Sequence, residues 1–214
     1  MSHKRKPNTW FNMASILMIV GMVAGASLTF TKQFTKHAMD LKEAEAKSAG
    51  IRAVVPDFDN VPAAESKRYF VDAADKIRLL GEDEAVGEND KFRVLEVFPC
   101  KKGKTDLGCA VTTYTEKGYS GKFTLMMAIS PEGAIKDVEV LSMTETPGLG
   151  TRIADPEFKD QFKGKTQAAT KFQVKADGGD VDAISASTIS SRAFCDAVCR
   201  GFAVYNAFKT GAAK

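Results

Sequence analysis

The chain has 214 residues, a formal net charge of +3 and a hydrophobic fraction of 44%. This length allows one ordinary domain with an adequate core, together with additional segments. The net charge is small and no basic run is interleaved with aromatic residues, so nucleic acid is not an expected partner.

The N-terminal part of the chain contains an uncharged, apolar stretch from Trp10 to Phe30. Its length, about 21 residues, is enough to span a hydrocarbon core of about 30 Å. The basic cluster Lys4-Arg5-Lys6 precedes it, which favours a cytoplasmic N-terminus. A cleaved signal peptide is the alternative, because Ala24-Gly25-Ala26 resembles a cleavage site, but the apolar run continues beyond that site. We therefore predict a cytoplasmic tail at residues 1–9 and a single transmembrane helix at residues 10–30.

Residues 31–85 are predicted to form a helical linker region. A polar pattern with helical spacing runs from Lys32 to about Ala53, and a loop with two prolines follows. The stretch from Ala63 to Leu80 again carries apolar residues at helical spacing, so a second helix is predicted there.

The remaining part, residues 86–214, is predicted to be a domain of the α+β class. Four segments are rich in β-branched and aromatic residues, namely 91–98, 109–116, 123–129 and 135–142. Pro99 is expected to end the first of them, and Ser130-Pro131-Glu132-Gly133 is a tight-turn signal between the last two. Short connections imply antiparallel hairpins, so we predict an antiparallel sheet packed with helices. A short helix at 155–163 and an edge strand at 172–174 are also predicted.

Four hydroxyl residues and two alanines crowd the segment Asp182–Ser190, immediately before a helical pattern. Ser185 or Ser187 is placed to cap the first N–H groups of that helix. A helix start presents free N–H groups and the positive end of its dipole to an anion, so a phosphate would bind well here. A plain helix start is the alternative. The apolar positions of this helix recur at three- and four-residue steps: Ile189, Ala193, Ala197, Val198, Gly201, Val204 and Phe208.

Three segments, in order along the chain, resemble the FMN-binding domain family. That family includes the G subunit of Rnf complexes and the C subunit of sodium-pumping NADH:quinone reductases. Gly118-Tyr119-Ser120-Gly121 is similar to the family's G-Y-x-G, and Glu145–Gly150 is similar to its E-T-P-G-L-G. The stretch Asp182–Ser190 resembles its flavinylation motif, D-x-x-S-G-A-T-x-[ST], with Ala186 where Gly is usual and Ser187 where Ala is usual. The resemblance covers roughly residues 86–208.

The resemblance implies that FMN is bound covalently, through a phosphoester to the hydroxyl of Thr188. It also implies which residues surround the cofactor. Ser185 and Ser187 would lie beside the phosphate, and Thr146, Gly148 and Leu149 would contact the flavin. No catalytic residue is expected, because the flavin itself carries the electrons.

As a subunit of the Rnf type, the chain would lie in the cell inner membrane, with its domain on the periplasmic side. Its partners would be the membrane subunits and iron–sulfur subunits of a ferredoxin:NAD⁺ oxidoreductase complex that moves Na⁺ or H⁺. A flavin transferase would attach the cofactor, and the chain alone would have no complete activity. Two alternatives are the C subunit of a Na⁺-translocating NADH:quinone reductase, and a non-catalytic, membrane-tethered flavin-binding or sensor module.

The cysteines and histidines do not indicate a metal site. Cys100 and Cys109 flank a loop between two predicted strands and could form a disulfide bond in an oxidising compartment. Cys195 and Cys199 lie four residues apart on the last helix, where small apolar residues are expected. The spacings match no common cluster motif, and the two histidines, His3 and His37, flank the apolar stretch.

Overall fold

The computed structural model describes residues 9–72, 74–81 and 84–211. The predicted cytoplasmic tail, apart from Thr9, therefore lies outside the described residues. The chain divides into two compact units, residues 1–46 and 47–214.

The first unit is occupied by a long helix, α1 (Thr9–Val54), whose C-terminal turns belong to the second unit. Within α1, the 19 residues Trp10–Leu28 are long and apolar enough to cross a membrane. Their described side chains are exposed. The predicted N-terminal apolar helix is thus confirmed, and α1 continues through Gly50 to Val54.

The second unit is built on a six-stranded antiparallel sheet with strand order β2-β1-β3-β4-β5-β6. Consecutive strands are neighbours except where β1 lies between β2 and β3, so nearly all connections are hairpins. The predicted α+β class and the four predicted strand regions are confirmed. The strands are β1 (Lys67–Val71), β2 (Ile77–Leu79), β3 (Val94–Lys102), β4 (Thr105–Thr115), β5 (Phe123–Ile129) and β6 (Ile135–Ser142).

Alternate residues of the central strands enter two separate cores, one on each face of the sheet. On the first face, Leu125 and Met127 of β5 pack beneath the long C-terminal helix, α3 (Thr188–Thr210). On the second face, Met126 and Ala128 pack against Ile51 and other residues at the end of α1. This alternation is the period of two that a pleated strand imposes on its side chains.

A cluster of phenylalanines packs α3 against a short helix, α2 (Pro156–Lys159), and the turns that follow it. Phe158 and Phe162 lie with ring centroids 5.6 Å apart, and both contact Phe194 of α3. The predicted helix at 155–163 is therefore shorter than expected, because a 3-10 turn replaces its second half.

The prediction of a helix from Ala63 to Leu80 is wrong. Residues 67–71 form β1, which pairs with both β2 and β3, so the predicted linker region contributes two strands to the sheet. Tyr69 and Val71 alternate with less buried neighbours, and the hydrogen bonds to β3 override the helical spacing of the apolar residues.

Two smaller predictions are also wrong. Pro99 does not end β3, which continues to Lys102. The pairing of β1 with β3 ends at Val97, so the missing N–H of Pro99 removes no hydrogen bond between these two strands. Its carbonyl accepts a hydrogen bond from Asn60 Nδ2 at 2.9 Å. The stretch 172–174 is not an edge strand, since only Val174 forms an isolated bridge, with Val181.

Gly108 generates a prediction about stability. It has φ +99°, and a Cβ at this position would lie inside the van der Waals radius of the Ile129 carbonyl oxygen in β5. We expect Gly108→Ala to lower the free energy of unfolding by about 3 kcal/mol, because a backbone clash adds to the cost of a positive φ.

Gly103→Ala is the matched control, since Gly103 has φ +58° and a Cβ there would meet no atom within 4 Å. That variant should lose only about 1 kcal/mol. Thermal unfolding of the detergent-solubilised chain, followed by circular dichroism, measures both losses. Equal losses would contradict the proposed clash.

Candidate functional site

The three segments singled out in the sequence meet at one cleft of about 500 Å³. The first lies between β4 and β5, the second follows β6, and the third begins α3. The residues around the cleft are Tyr119, Glu145, Thr146, Leu149, Gly150, Ala186, Ser187, Thr188, Ile189 and Ser190.

The floor of the cleft is the N-terminus of α3. Ser187 is the N-cap residue and Thr188 is the first residue of the helix. Among the described residues no side chain caps this end of α3, so the expected capping by Ser185 or Ser187 does not occur. The N–H groups of a first helical turn have no partner within the helix. The cleft thus contains backbone donors and the positive end of the dipole, beside the half-buried side chain of Thr188.

The turn before α3 is held from within the core by Ser191. Its hydroxyl donates to the Ser187 carbonyl at 3.0 Å and accepts a hydrogen bond from the Ile184 N–H at 3.0 Å. Ser191 is fully buried, so these bonds are made in a dry environment. Sequence reasoning missed this residue, because nothing in its local pattern separates it from the other hydroxyls of the segment.

Ala186 adopts a left-handed conformation, with φ +64°. It marks the point where the chain changes direction before the helix. Ala186 and the four residues after it line the main cleft, whereas Asp182 and Ser185 line a second, smaller cleft of about 330 Å³. This position is the one where the family pattern usually has Gly, the residue that adopts a positive φ without steric cost.

The structure therefore divides the predicted site residues. Thr188, Ser187, Thr146 and Leu149 line the main cleft. Ser185 does not, because it lies on the opposite side of the turn at Ala186.

Gly148 does not line the cleft either. It is exposed, with φ +74°, and its N–H donates to Thr151 Oγ1 at 3.0 Å. Its role is to form the turn that carries Leu149.

Asp182 also points away from the cleft. Its carboxylate forms an exposed ion pair with Lys175 at 2.8 Å. The side chain of Gln161 contacts its backbone twice, accepting from the Asp182 N–H and donating to the Asp182 carbonyl. These contacts fix the start of the segment to the turns after α2.

The rim of the cleft is apolar and solvent-exposed. Ile189 is 48% exposed, Leu149 is 45% exposed and Tyr119 is 69% exposed. Ile189 shares the helical spacing of the apolar positions of α3, but it lies in the first turn and is exposed, whereas Ala193 and Ala197 are buried. An exposed apolar rim around a polar floor suits a ligand with a charged end and a flat apolar body.

Glu145 is a component of the site that sequence reasoning did not assign to any role. Its side chain is buried, with 5% exposure, and it accepts hydrogen bonds from Ser190 Oγ at 3.0 Å and from the Ser120 N–H at 3.4 Å. It therefore joins all three segments.

The cysteines take no part in the site. The disulfide bond that the sequence allowed between Cys100 and Cys109 is not formed. All four are free, and Cys100 and Cys109 lie on opposite faces of the sheet. Burial raises the pKa of Cys109 to about 12, so its thiol is uncharged at neutral pH. Within the described part of the chain, no group of three or more His, Cys, Asp or Glu residues is arranged to hold a metal ion.

Comparison with known proteins agrees with this geometry. Residues 118–202 match the model of the FMN-binding domain family. The chain is 30% identical over 189 residues to the G subunit of the ion-translocating oxidoreductase complex of Methanosarcina acetivorans, covering 85% of this chain and 87% of that protein.

A second relative is the G subunit of the Na⁺-translocating ferredoxin:NAD⁺ oxidoreductase complex of Acetobacterium woodii. It is 27% identical to this chain over 202 residues, and the match covers 91% of each protein. The fold is shared with the crystal structure of the C subunit of the Na⁺-translocating NADH-quinone reductase from Parabacteroides distasonis. There the TM-score is 0.51 and the identity 16%, over 79% of this chain and 96% of that one. The chain belongs to the family of G subunits of ion-translocating oxidoreductase complexes, and its cleft lies in its FMN-binding domain.

Proposed function

We propose that this chain is the electron-carrying flavoprotein, the G subunit, of a membrane-bound, Rnf-type ferredoxin:NAD⁺ oxidoreductase complex that moves Na⁺ or H⁺. Its FMN would be attached through a phosphoester to Thr188 Oγ1. The observation that carries this proposal is the uncapped N-terminus of α3, with Thr188 as its first residue, on the floor of the cleft.

The floor of the cleft fits a phosphate. Unpaired N–H groups at a helix start donate well to phosphate oxygens, and the helix dipole adds to the attraction. Thr188 contributes the hydroxyl for the ester, and Ser187 lies beside it. Ser185 lies before the turn at Ala186 and lines the second cleft.

The upper part of the cleft fits the flavin ring. Leu149 and Ile189 offer apolar contacts to the flavin ring. The Thr146 hydroxyl lies 3.3 Å from the Ser120 hydroxyl, and these two hydroxyl groups can form hydrogen bonds with a polar edge of the ring. A volume of about 500 Å³ is within the range of ordinary cofactor sites.

The flavin would supply the redox chemistry, passing one or two electrons. The chain's residues bind and orient it, and no proton transfer by a side chain is required. A covalent bond would keep the cofactor in place outside the cytoplasm, where a lost flavin could not be replaced readily. A flavin transferase would supply the flavin phosphate as a phosphoanhydride: the new P–O bond forms to Thr188 Oγ1, which loses its proton, while the anhydride P–O bond breaks and the other phosphate leaves.

The chain would be anchored by Trp10–Leu28, with its domain on the periplasmic side of the inner membrane. The sequence cluster Lys4-Arg5-Lys6 supports a cytoplasmic N-terminus. Its partners would be the membrane and iron–sulfur subunits of the complex, because a carrier must lie close to its donor and acceptor.

The first prediction from this proposed function concerns the attachment residue. Thr188→Val keeps the β-branched shape but removes the hydroxyl, so it should abolish covalent flavin while the protein still accumulates in the membrane. In-gel flavin fluorescence of the denatured protein measures this loss, and peptide mass mapping locates the modification in the wild type. Thr210→Val is the matched control, because Thr210 is exposed at the opposite end of α3 and outside the cleft, and this variant should remain fluorescent. Fluorescence retained in Thr188→Val would rule out the proposed ester.

The second prediction concerns Ala186. Relief of the left-handed conformation is worth about 1–2 kcal/mol, whereas the greater freedom of glycine in the unfolded chain costs about 0.5–1 kcal/mol. Ala186→Gly should therefore raise the free energy of unfolding by about 0.5–1 kcal/mol and leave flavin attachment intact. Thermal unfolding gives the first quantity and in-gel fluorescence the second. A lower melting temperature would show that the left-handed turn is not strained.

The third prediction concerns topology. Protease added to spheroplasts should digest the domain, and protease added to inverted membrane vesicles should leave it intact. Immunoblotting against the C-terminal part of the chain detects the difference. The reverse pattern would place the domain in the cytoplasm and would contradict the proposed orientation.

A further inference from the structure

Glu145 is a buried carboxylate without a cationic partner among the described residues. Its residue exposure is 5%, and its contacts are hydrogen bonds from Ser190 Oγ to Oε2 at 3.0 Å and from the Ser120 N–H to Oε1 at 3.4 Å. Removing a carboxylate from water is costly unless its oxygens receive well-placed donors. A burial of this kind needs a reason beyond packing.

The surroundings of Glu145 are shaped to hold the carboxylate closely. A Cβ at Gly118 would lie 2.5 Å from Oε1, and one at Gly150 would lie closer still to Oε2. With the carboxylate in this position, neither glycine has room for a side chain. Each carboxylate oxygen of Glu145 thus lies against one glycine and accepts one hydrogen bond.

The two donors belong to the two elements that border the cleft. Ser190 is the third residue of α3, in the same turn as Thr188, and Ser120 follows Tyr119 on the rim. Glu145 itself lines the cleft. A single side chain therefore ties the first turn of α3 to the opposite wall.

We propose that Glu145 is a positioning residue for the flavin site. It holds Ser190, and with it the first turn of α3, so that the Thr188 hydroxyl and the neighbouring N–H groups face the cleft. Its fixed negative charge, in the wall of the same cleft, also disfavours the addition of electrons to the bound flavin. This inference rests on the proposed function.

Two variants separate the reach of the side chain from its charge. Glu145→Asp keeps the charge but withdraws it by one methylene from Ser190, so attachment should fall several-fold while the reduction potential of the attached flavin stays near its wild-type value. Glu145→Gln keeps the length but removes the charge, so the potential of the attached flavin should move in the positive direction. Glu139→Gln is the matched control, since Glu139 lies on β6 and pairs with Lys159 outside the cleft.

The experiment uses the full chain in membranes of a host that supplies the flavin transferase. In-gel fluorescence per folded protein gives the attached fraction, and redox titration of the visible flavin band gives the potential. A role limited to stability would lower the amount of folded protein but would change neither readout.

A double-variant comparison tests the contact itself. If Glu145 acts through Ser190, adding Ser190→Ala to Glu145→Asp should reduce attachment no further than the more damaging single variant does. Independent, multiplying losses would overturn the proposal.

The outcomes distinguish this inference from the proposed function. A dark wild-type band would overturn the proposed function. A fluorescent wild type, with Glu145→Gln and Glu145→Asp matching it in attached fraction and in potential, would overturn the role of Glu145 alone.

Discussion

The placement of α3 on the sheet is the constraint on which the site depends. In the buried core, Thr113 Oγ1 donates to the Ala197 carbonyl at 2.6 Å, and Gly201 allows the helix to approach Met127 closely. Because a helix is stiff along its axis, fixing its middle also fixes where its first turn lies. The first turn carries Thr188 and Ile189 to the cleft, which they line, whereas Ser191 in the same turn is fully buried.

The rest of the site is assembled around that turn by the hydrogen bonds of one buried side chain, Glu145. The loop before β5 and the loop after β6 both reach the start of α3, and the carboxylate of Glu145 joins them. A polar network in the interior stabilises one arrangement strongly when all of its groups are satisfied, and penalises every arrangement in which one is not. The two hydrogen bonds of Glu145 therefore favour one arrangement of the two loops and the first turn of α3.

The left-handed residue at Ala186 gives the segment two faces. Residues after it line the main cleft, whereas Asp182 and Ser185 before it line the second one. The motif is continuous in sequence, but its residues line two different clefts, and only those of the main cleft lie next to the start of α3. The physical cause is local, since one positive φ reverses the direction of the chain immediately before the helix begins.

The sequence by itself determined the features that depend on local pattern: the apolar stretch from Trp10, the hairpin of β5 and β6, the last helix and the three family segments. Only the tertiary structure decided which face each residue takes. The stretch 67–71 has helical spacing, yet it forms a strand because β3 offers it a ladder of hydrogen bonds. Ile189 shares the helical spacing of the buried apolar positions of α3, yet it is exposed and borders the cleft. The hydrogen bonds of Glu145 could likewise not be predicted from the sequence, because its partners lie 25 and 45 residues away and only folding brings them together.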